Sequence, residues 1–277
     1  MGRCFKALAL FFCFVIVACS SKTDGAQLLL DNARQLYNEG RYDQAKSEID
    51  SIKTLYPKAF DQIRASLALL DSVRRGQDTH TIAICDSLIA LHEPKLDSLK
   101  KLFVYQRNKE YQEKGFYVPK ESATSGPLTF TTLRSGVGED GQMYLESVFI
   151  GSGQKHNKIK VSAKDGLSAE SRPVNDDGLN YRFSNLGKQF EIIRFAGEDD
   201  NGVAKFIFEN TDKPLTLILE GKNKSSYTLS QPVKNAVTRS YRLSMMMQQL
   251  DSLKTEKEKS EYKIYYLDKK NANTNEN

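Results

Sequence analysis

The residues in this chain with side chains suited to chemistry are few, and their spacing narrows what they can do. Cysteine supplies a nucleophile, a metal ligand or half a disulfide, and there are four: Cys4, Cys13, Cys19 and Cys85. Histidine supplies a base or a ligand, and there are three: His80, His92 and His156. None of the histidines stands in an H-E-x-x-H pair or beside a cysteine, so no zinc spacing is present. The chain has no G-x-S-x-G run, which removes the common hydrolase elbow. Cys85 shares a helical apolar stripe with Ile82, Leu88 and Ile89 and is expected to be a small buried hydrophobe. No catalytic set, metal site or cofactor is therefore expected.

Cys19 has a different setting. Arg3 and Lys6 precede an apolar run of twelve residues from Ala7 to Ala18. Twelve residues of helix reach about 18 Å, well short of the roughly 30 Å hydrocarbon core, so the run reads as a secretory signal and not as a span. Its end, Ile16-Val17-Ala18-Cys19, resembles the lipobox of bacterial lipoproteins. The resemblance covers about twenty residues and departs only at Ile16, where the family more often has leucine. It implies cleavage between Ala18 and Cys19 by signal peptidase II, a diacylglyceryl thioether on Cys19 and acylation, typically with palmitate, of the new amine. Several acyl chains give stable attachment where one is marginal. Cys4 and Cys13 would leave with the signal and Cys85 alone would keep a thiol, so no disulfide framework can form. Ser20 and Ser21 follow, with no Asp directly after Cys19. In Gram-negative lipoproteins that pattern resembles the outer-membrane sorting class.

The elements that these residues ride on fall into two halves. From Ala26 the apolar residues recur at helical spacing: Leu29, Ala33, Leu36 and Tyr37 form one stripe, and Tyr42, Ala45, Ile49, Ile52 and Leu55 the next. Gly40 separates them and Pro57 ends the second, which predicts a helical hairpin. Gly40-Arg41-Tyr42-Asp43-Gln44-Ala45, with Ile49, Ile52 and Pro57, resembles one tetratricopeptide repeat over about 32 residues. A second hairpin is expected over 58–75 and 79–92, turning at Gly76 and closed by Pro94. Leu96, Leu99, Phe103 and Tyr111 then predict a helix to 114 with Gly115 as its cap. Asp43, Glu48 and Asp50 alternate with Lys46 and Lys53 as a solvated face.

Composition shifts after a polar linker at 116–126. Alternating patterns predict strands at 128–133, 143–150, 158–163, 180–184, 190–195, 204–208, 215–220 and 227–229, the signature of an antiparallel sandwich or small barrel. Gly136-Val137-Gly138-Glu139-Asp140-Gly141 fits G-x-G-x-x-G, but a strand-like run follows where a dinucleotide fold needs a helix, so it reads as a hairpin turn. Asp199-Asp200-Asn201-Gly202 lacks the later ligands of a calcium loop and also reads as a hairpin turn, since Asn and Gly tolerate positive φ. Tyr144, Phe149, Tyr181 and Phe195 are the aromatics that could stack on a glycan, although the chain has no tryptophan.

A helical pattern resumes at Val233 through Val237, Tyr241, Leu243, Met245, Met246, Leu250 and Leu253, and the polar stretch from 269 to 277 is expected to be disordered. The net charge of +5 is spread among mixed signs and gives no basic face for nucleic acid. The expected architecture is α+β: signal 1–18, lipidated tether 19–25, tetratricopeptide-like helices 26–115, linker 116–126, antiparallel β-domain 127–232, C-terminal helix 233–268, tail 269–277. The expected role is a non-catalytic protein- or peptide-binding module held at the cell envelope by its lipid, with an envelope protein as the partner. The alternative is glycan or cell-wall binding through the β-domain.

Overall fold

Helix-period stripes at the N-terminal end close on one another through small residues. The computed structural model of the chain describes residues 14–122, 128–175, 180–185 and 187–275, with side chains between 24 and 272. Residues 1–13, with Cys4 and Cys13, and the side chains of Ala18 and Cys19 lie outside it. The described chain divides into two compact units. Unit 1 comprises residues 1–88 and 253–277, and unit 2 comprises residues 89–252.

In unit 1, α1 (Phe14–Asn38) buries Ala26, Leu30 and Ala33, and α2 (Tyr42–Leu55) buries Ala45, Ile49 and Ile52. These positions recur at three and four residues, the spacing that lines one helix face. The turn between the helices is a Schellman-type cap. Gly40 takes φ +73°, its N–H donates to the Tyr37 carbonyl at 3.0 Å and Arg41 N–H to the Leu36 carbonyl at 2.9 Å. The first hairpin thus forms where the stripes place it.

The second hairpin does not form. One helix, α3 (Phe60–Lys100), runs unbroken through both Gly76 and Pro94. Gly76 is where the rings of Tyr37 and Tyr42 press on α3: a Cβ there would lie 2.9 Å from each. The glycine serves close approach and not a turn. Pro94 removes one backbone donor, but Leu96 and Leu99 beyond it pack into a cluster with Phe103, Val137 and Leu243 that holds the helix on course.

The C-terminal helix, α5 (Gln231–Asn275), extends past the expected limit at 268 into the stretch expected to be disordered. Within unit 1 it lies antiparallel to α3. Lys257 pairs with Asp86 at 2.7 Å, Lys263 with Asp78 at 3.4 Å, Arg75 with Asp268, and Lys270 with Asp71 at 2.9 Å. Each step along one helix matches a step back along the other, so this ladder continues the helix through a polar sequence.

Unit 2 is built on two antiparallel sheets. Sheet A has the order β1-β2-β3-β4-β8-β7 and sheet B the order β10-β9-β5-β6. The strands are β1 (Phe103–Gln106), β2 (Phe116–Pro119), β3 (Thr132–Gly138), β4 (Met143–Gly151), β5 (Lys158–Ala163), β6 (Ser168–Glu170), β7 (Tyr181–Asn185), β8 (Lys188–Ala196), β9 (Leu215–Glu220) and β10 (Lys224–Thr228). The inward rows of both sheets meet in one core. Leu133, Leu145, Phe149, Ile193 and Phe195 come from sheet A, and Ile159, Val161, Leu215, Leu217 and Leu219 from sheet B. Among the described residues neither sheet closes on itself, so the barrel alternative is not met.

Three local expectations are corrected here. The helix predicted to 114 stops at Lys100, and Phe103–Gln106 pairs with Phe116–Pro119, so β2 occupies the start of the expected linker. The strand expected at 128–133 begins at Thr132. The strand expected at 204–208 is instead a short helix, α4 (Val203–Glu209). Asn201 and Gly202 do take positive φ, +46° and +86°. Gly202 is the N-cap residue, and from two positions before it the Asp200 side chain accepts from Ala204 N–H at 2.9 Å and Gly202 N–H at 3.2 Å, satisfying donors that the start of the helix leaves free.

Candidate functional site

Polar residues on the inward parity of a strand need a partner, because a buried polar group left unpaired is costly. Three such residues break the apolar rows of sheet A. Ser135 sits between Leu133 and Val137, Ser147 between Leu145 and Phe149, and Glu191 precedes Ile193 and Phe195. Ser135 meets Ser240 of α5, Oγ to Oγ, at 2.9 Å. The other two converge on His156.

His156 Nδ1 lies 2.7 Å from Glu191 Oε2, and its Nε2 lies 2.6 Å from Ser147 Oγ. Nδ1–H donating to the carboxylate leaves Nε2 facing the hydroxyl, the order of groups that activates a serine in acyl transfer. His156 and Ser147 are fully buried and Glu191 is 1% exposed. The edge of Phe149 covers the imidazole, with centroids 6.3 Å apart. Ser147 Oγ also lies 3.4 Å from the carbonyl of Ile193, its register partner on β8. A hydroxyl placed this way between strands has no room beside it for a substrate.

The loop between β4 and β5 explains the burial. Lys155 takes the left-handed φ of +51°. The successive N–H groups of Gln154, Lys155 and His156 then all point at the Glu191 carboxylate, with Lys155 N at 2.6 Å and His156 N at 2.9 Å. Consecutive backbone donors around a left-handed residue form an anion nest, and here a side chain of the same unit fills it. Gln154 ties the loop onward to sheet B, donating to the carbonyls of Leu219 at 2.6 Å and Asn223 at 3.0 Å and accepting from Ser225 Oγ at 2.6 Å. Arg182 on the edge strand donates to the His156 carbonyl at 2.9 Å. Gly221 must be a glycine, since a Cβ there would run into the Lys155 carbonyl oxygen and lie 2.5 Å from His156 Cα.

Burial by itself would raise the Glu191 carboxyl. The hydrogen bonds from the His156 ring and from the N–H groups of Lys155, His156 and Gln154 outweigh it and hold the group down at about 2. The carboxylate is thus ionised across the range in which proteins work. The relay joins the two sheets at their crossover, and its geometry performs a positioning task.

Sequence reasoning missed this set, whose members are separated by nine and 35 residues in the chain. The parity of Ser147 and Glu191 within otherwise apolar rows is the signal that could have found it. The other nominated residues do not converge. Cys85 is 3% exposed on α3. His80 lies near the Tyr42 ring, and His92 near Gln249 at 3.5 Å. Among the described residues no group of three His, Cys, Asp or Glu could hold a metal ion. Of the four aromatics considered for glycan stacking, Tyr144, Phe149 and Phe195 are buried and only Tyr181 is open, at 58%. Tyr144 lies across the sheet over Gly136, its register partner, with the Arg194 guanidinium 4.1 Å from its ring centroid. The Gly136–Gly141 stretch ends β3 and turns into β4, with Gly141 at φ +80°.

Two surface grooves lie away from the relay. One, in unit 2, has a volume of about 380 Å³ and is lined by Phe130, Leu133, Arg134 and Val233 among others. The other, in unit 1, has a volume of about 690 Å³ and is lined by Lys46, Arg74, Asp78, Tyr262, Lys263 and Tyr266 among others. Among the described residues no helix is long and apolar enough to cross a membrane. No protein-family model, curated protein or solved structure matches the chain.

Proposed function

We propose that this chain is a bacterial envelope lipoprotein, held at the outer membrane through Cys19, that binds a protein or peptide partner and does no chemistry of its own. The observation that carries the reading is Ile16-Val17-Ala18-Cys19 behind a basic end and a short apolar run. Three features of the fold support the second half. Among the described residues, the Ser147–His156–Glu191 set that has catalytic order is sealed in the core. The larger groove lies in unit 1, where Tyr262 and Tyr266 stay 69% and 62% exposed beside four cations. Tyrosines of that kind bring large contact area at low entropic cost, as partner-binding surfaces do. The α1–α2 hairpin, with Gly40 to Ala45 at its turn, adds a tetratricopeptide-like element to the same unit.

The cations Lys46, Arg74, Lys263 and Lys270 are already balanced in part by Asp43, Asp71 and Asp78. The groove therefore favours a segment with tyrosine-compatible apolar residues and one or two acids over a densely charged ligand. Photo-crosslinking from position 266 in cells tests the binding half, and fractionation of Cys19→Ala tests the anchor. The expected outcomes are a discrete adduct and, for Cys19→Ala, a chain that keeps its signal segment and is lost from the outer-membrane fraction. A chain that still reaches the outer membrane without Cys19, or positions 262 and 266 that both give no adduct, would count against the corresponding half.

A further inference from the structure

We propose that the end of unit 1 carrying Leu55 and Phe60 rests in the headgroup layer of the bilayer, as a second membrane contact beside the lipid. The inference rests on the anchor reading above and adds to it a protein surface.

The end is built from the close of α2 and the start of α3. Tyr56 ends α2, and its ring packs on Gly25 of α1, where any Cβ would collide with it. Ala59 N–H donates to the Tyr56 carbonyl and Ile63 N–H to the Ala59 carbonyl, each at 2.9 Å, so the turn between the helices is stiff. Ala26, Leu30 and Ile52 form the apolar cluster beneath it. On this tip Leu55 is 64% exposed and Phe60 70% exposed, and Leu28, one turn into α1 from Gly25, is 61% exposed. Large apolar side chains on a stiff turn beside exposed Pro57 gain nothing from water.

The tether decides which surface they meet. Cys19 and Gly25 stand six positions apart on α1, about 9 Å along a helix and at most about 20 Å if that stretch is fully extended. The Gly25–Tyr56 contact therefore cannot leave the neighbourhood of an acylated Cys19. A leash this short turns contact with the bilayer into an intramolecular event, so a weak apolar surface suffices. Exposed Lys53, Lys58 and Arg64 ring the tip, against Asp24 and Asp61. That slight cationic excess suits an anionic headgroup layer.

The chain contains no tryptophan, so a single introduced one reports its own depth. Phe60→Trp replaces an exposed side chain and leaves the core untouched. The acylated full-length protein carrying it is reconstituted in phosphatidylethanolamine–phosphatidylglycerol vesicles with brominated acyl chains. Tyr262→Trp serves as the comparison. It faces Asp78 in the groove, about 27 Å along α3 from Phe60 at 1.5 Å per residue. The expected result is blue-shifted emission from position 60, quenched about twofold by the brominated lipid, with water-like unquenched emission from position 262. Water-like emission from both positions, in protein that still floats with the vesicles, would overturn the tip contact and leave the anchor standing. Protein that no longer floats would overturn the anchor and the tip contact together.

Discussion

The two units handle their polar groups in opposite ways. In unit 1, ion pairs run as a ladder between α3 and α5; Lys257–Asp86 and Arg75–Asp268 are open to water and salt, while Asp78 is buried and reached by Lys263 from the exposed side. In unit 2, Glu191, His156 and Ser147 are sealed inside, and one carboxylate collects three backbone donors and an imidazole. The first arrangement sets register between helices and is cheap to change. The second leaves no substitute for any member, because a lost partner strands a buried charge. A unit that cannot yield in its interior makes a poor site for chemistry on an outside substrate. A unit with open tyrosines and replaceable surface charges makes a better one for a partner.

The sharpest break in this contrast is Glu191→Ala. It removes the anion from the nest, and we expect a loss of about 3–5 kcal/mol in urea unfolding of unit 2. Gly221→Ala comes next, because the new methyl meets backbone and not a movable side chain. Its expected cost is roughly 3 kcal/mol, with faster amide exchange in residues 153–157. Acid gives the same comparison without mutation. The folded-state carboxyl of Glu191 is lowered, so its contribution is fully present above the ordinary value of 4.5 and is lost as pH falls toward about 2. A stability profile flat through that window would remove the nest from the account. Asp200→Ala, which takes the acceptor away from Ala204 N–H at the start of α4, should cost about 1 kcal/mol. Smallest of all is Lys270→Met in unit 1, with less than about 1 kcal/mol expected, and salt should shrink it further.

Sequence and structure agree most closely where local pattern and burial ask for the same thing. Lys158–Ala163 and Leu215–Glu220 put an apolar residue at every second position and bury it there, and both are strands over the expected residues. Ala45, Ile49 and Ile52 fall on one helix face because nothing in the hairpin competes with their spacing. Disagreement arises where a distant group decides. Phe206-Ile207-Phe208 is a run of residue types that strands favour, yet it lies in a helix whose second N–H, that of Ala204, is taken by the Asp200 side chain. Gly76 resembles punctuation until Tyr37 and Tyr42 are found lying on it. Phe103–Gln106 becomes a strand only because Phe116–Pro119 pairs with it. The relay was the least legible, since its three side chains come from two strands and a loop that only the fold unites. Parity alone hinted at it, through a serine and a glutamate placed where leucine or valine belongs.

The direct test of the whole account is the intact mass of the mature protein taken from cell envelopes. It should correspond to a chain that begins at Cys19 and carries a diacylglyceryl group and an amide-linked acyl chain. A mass matching an unmodified cysteine, or a chain that starts elsewhere, would contradict it.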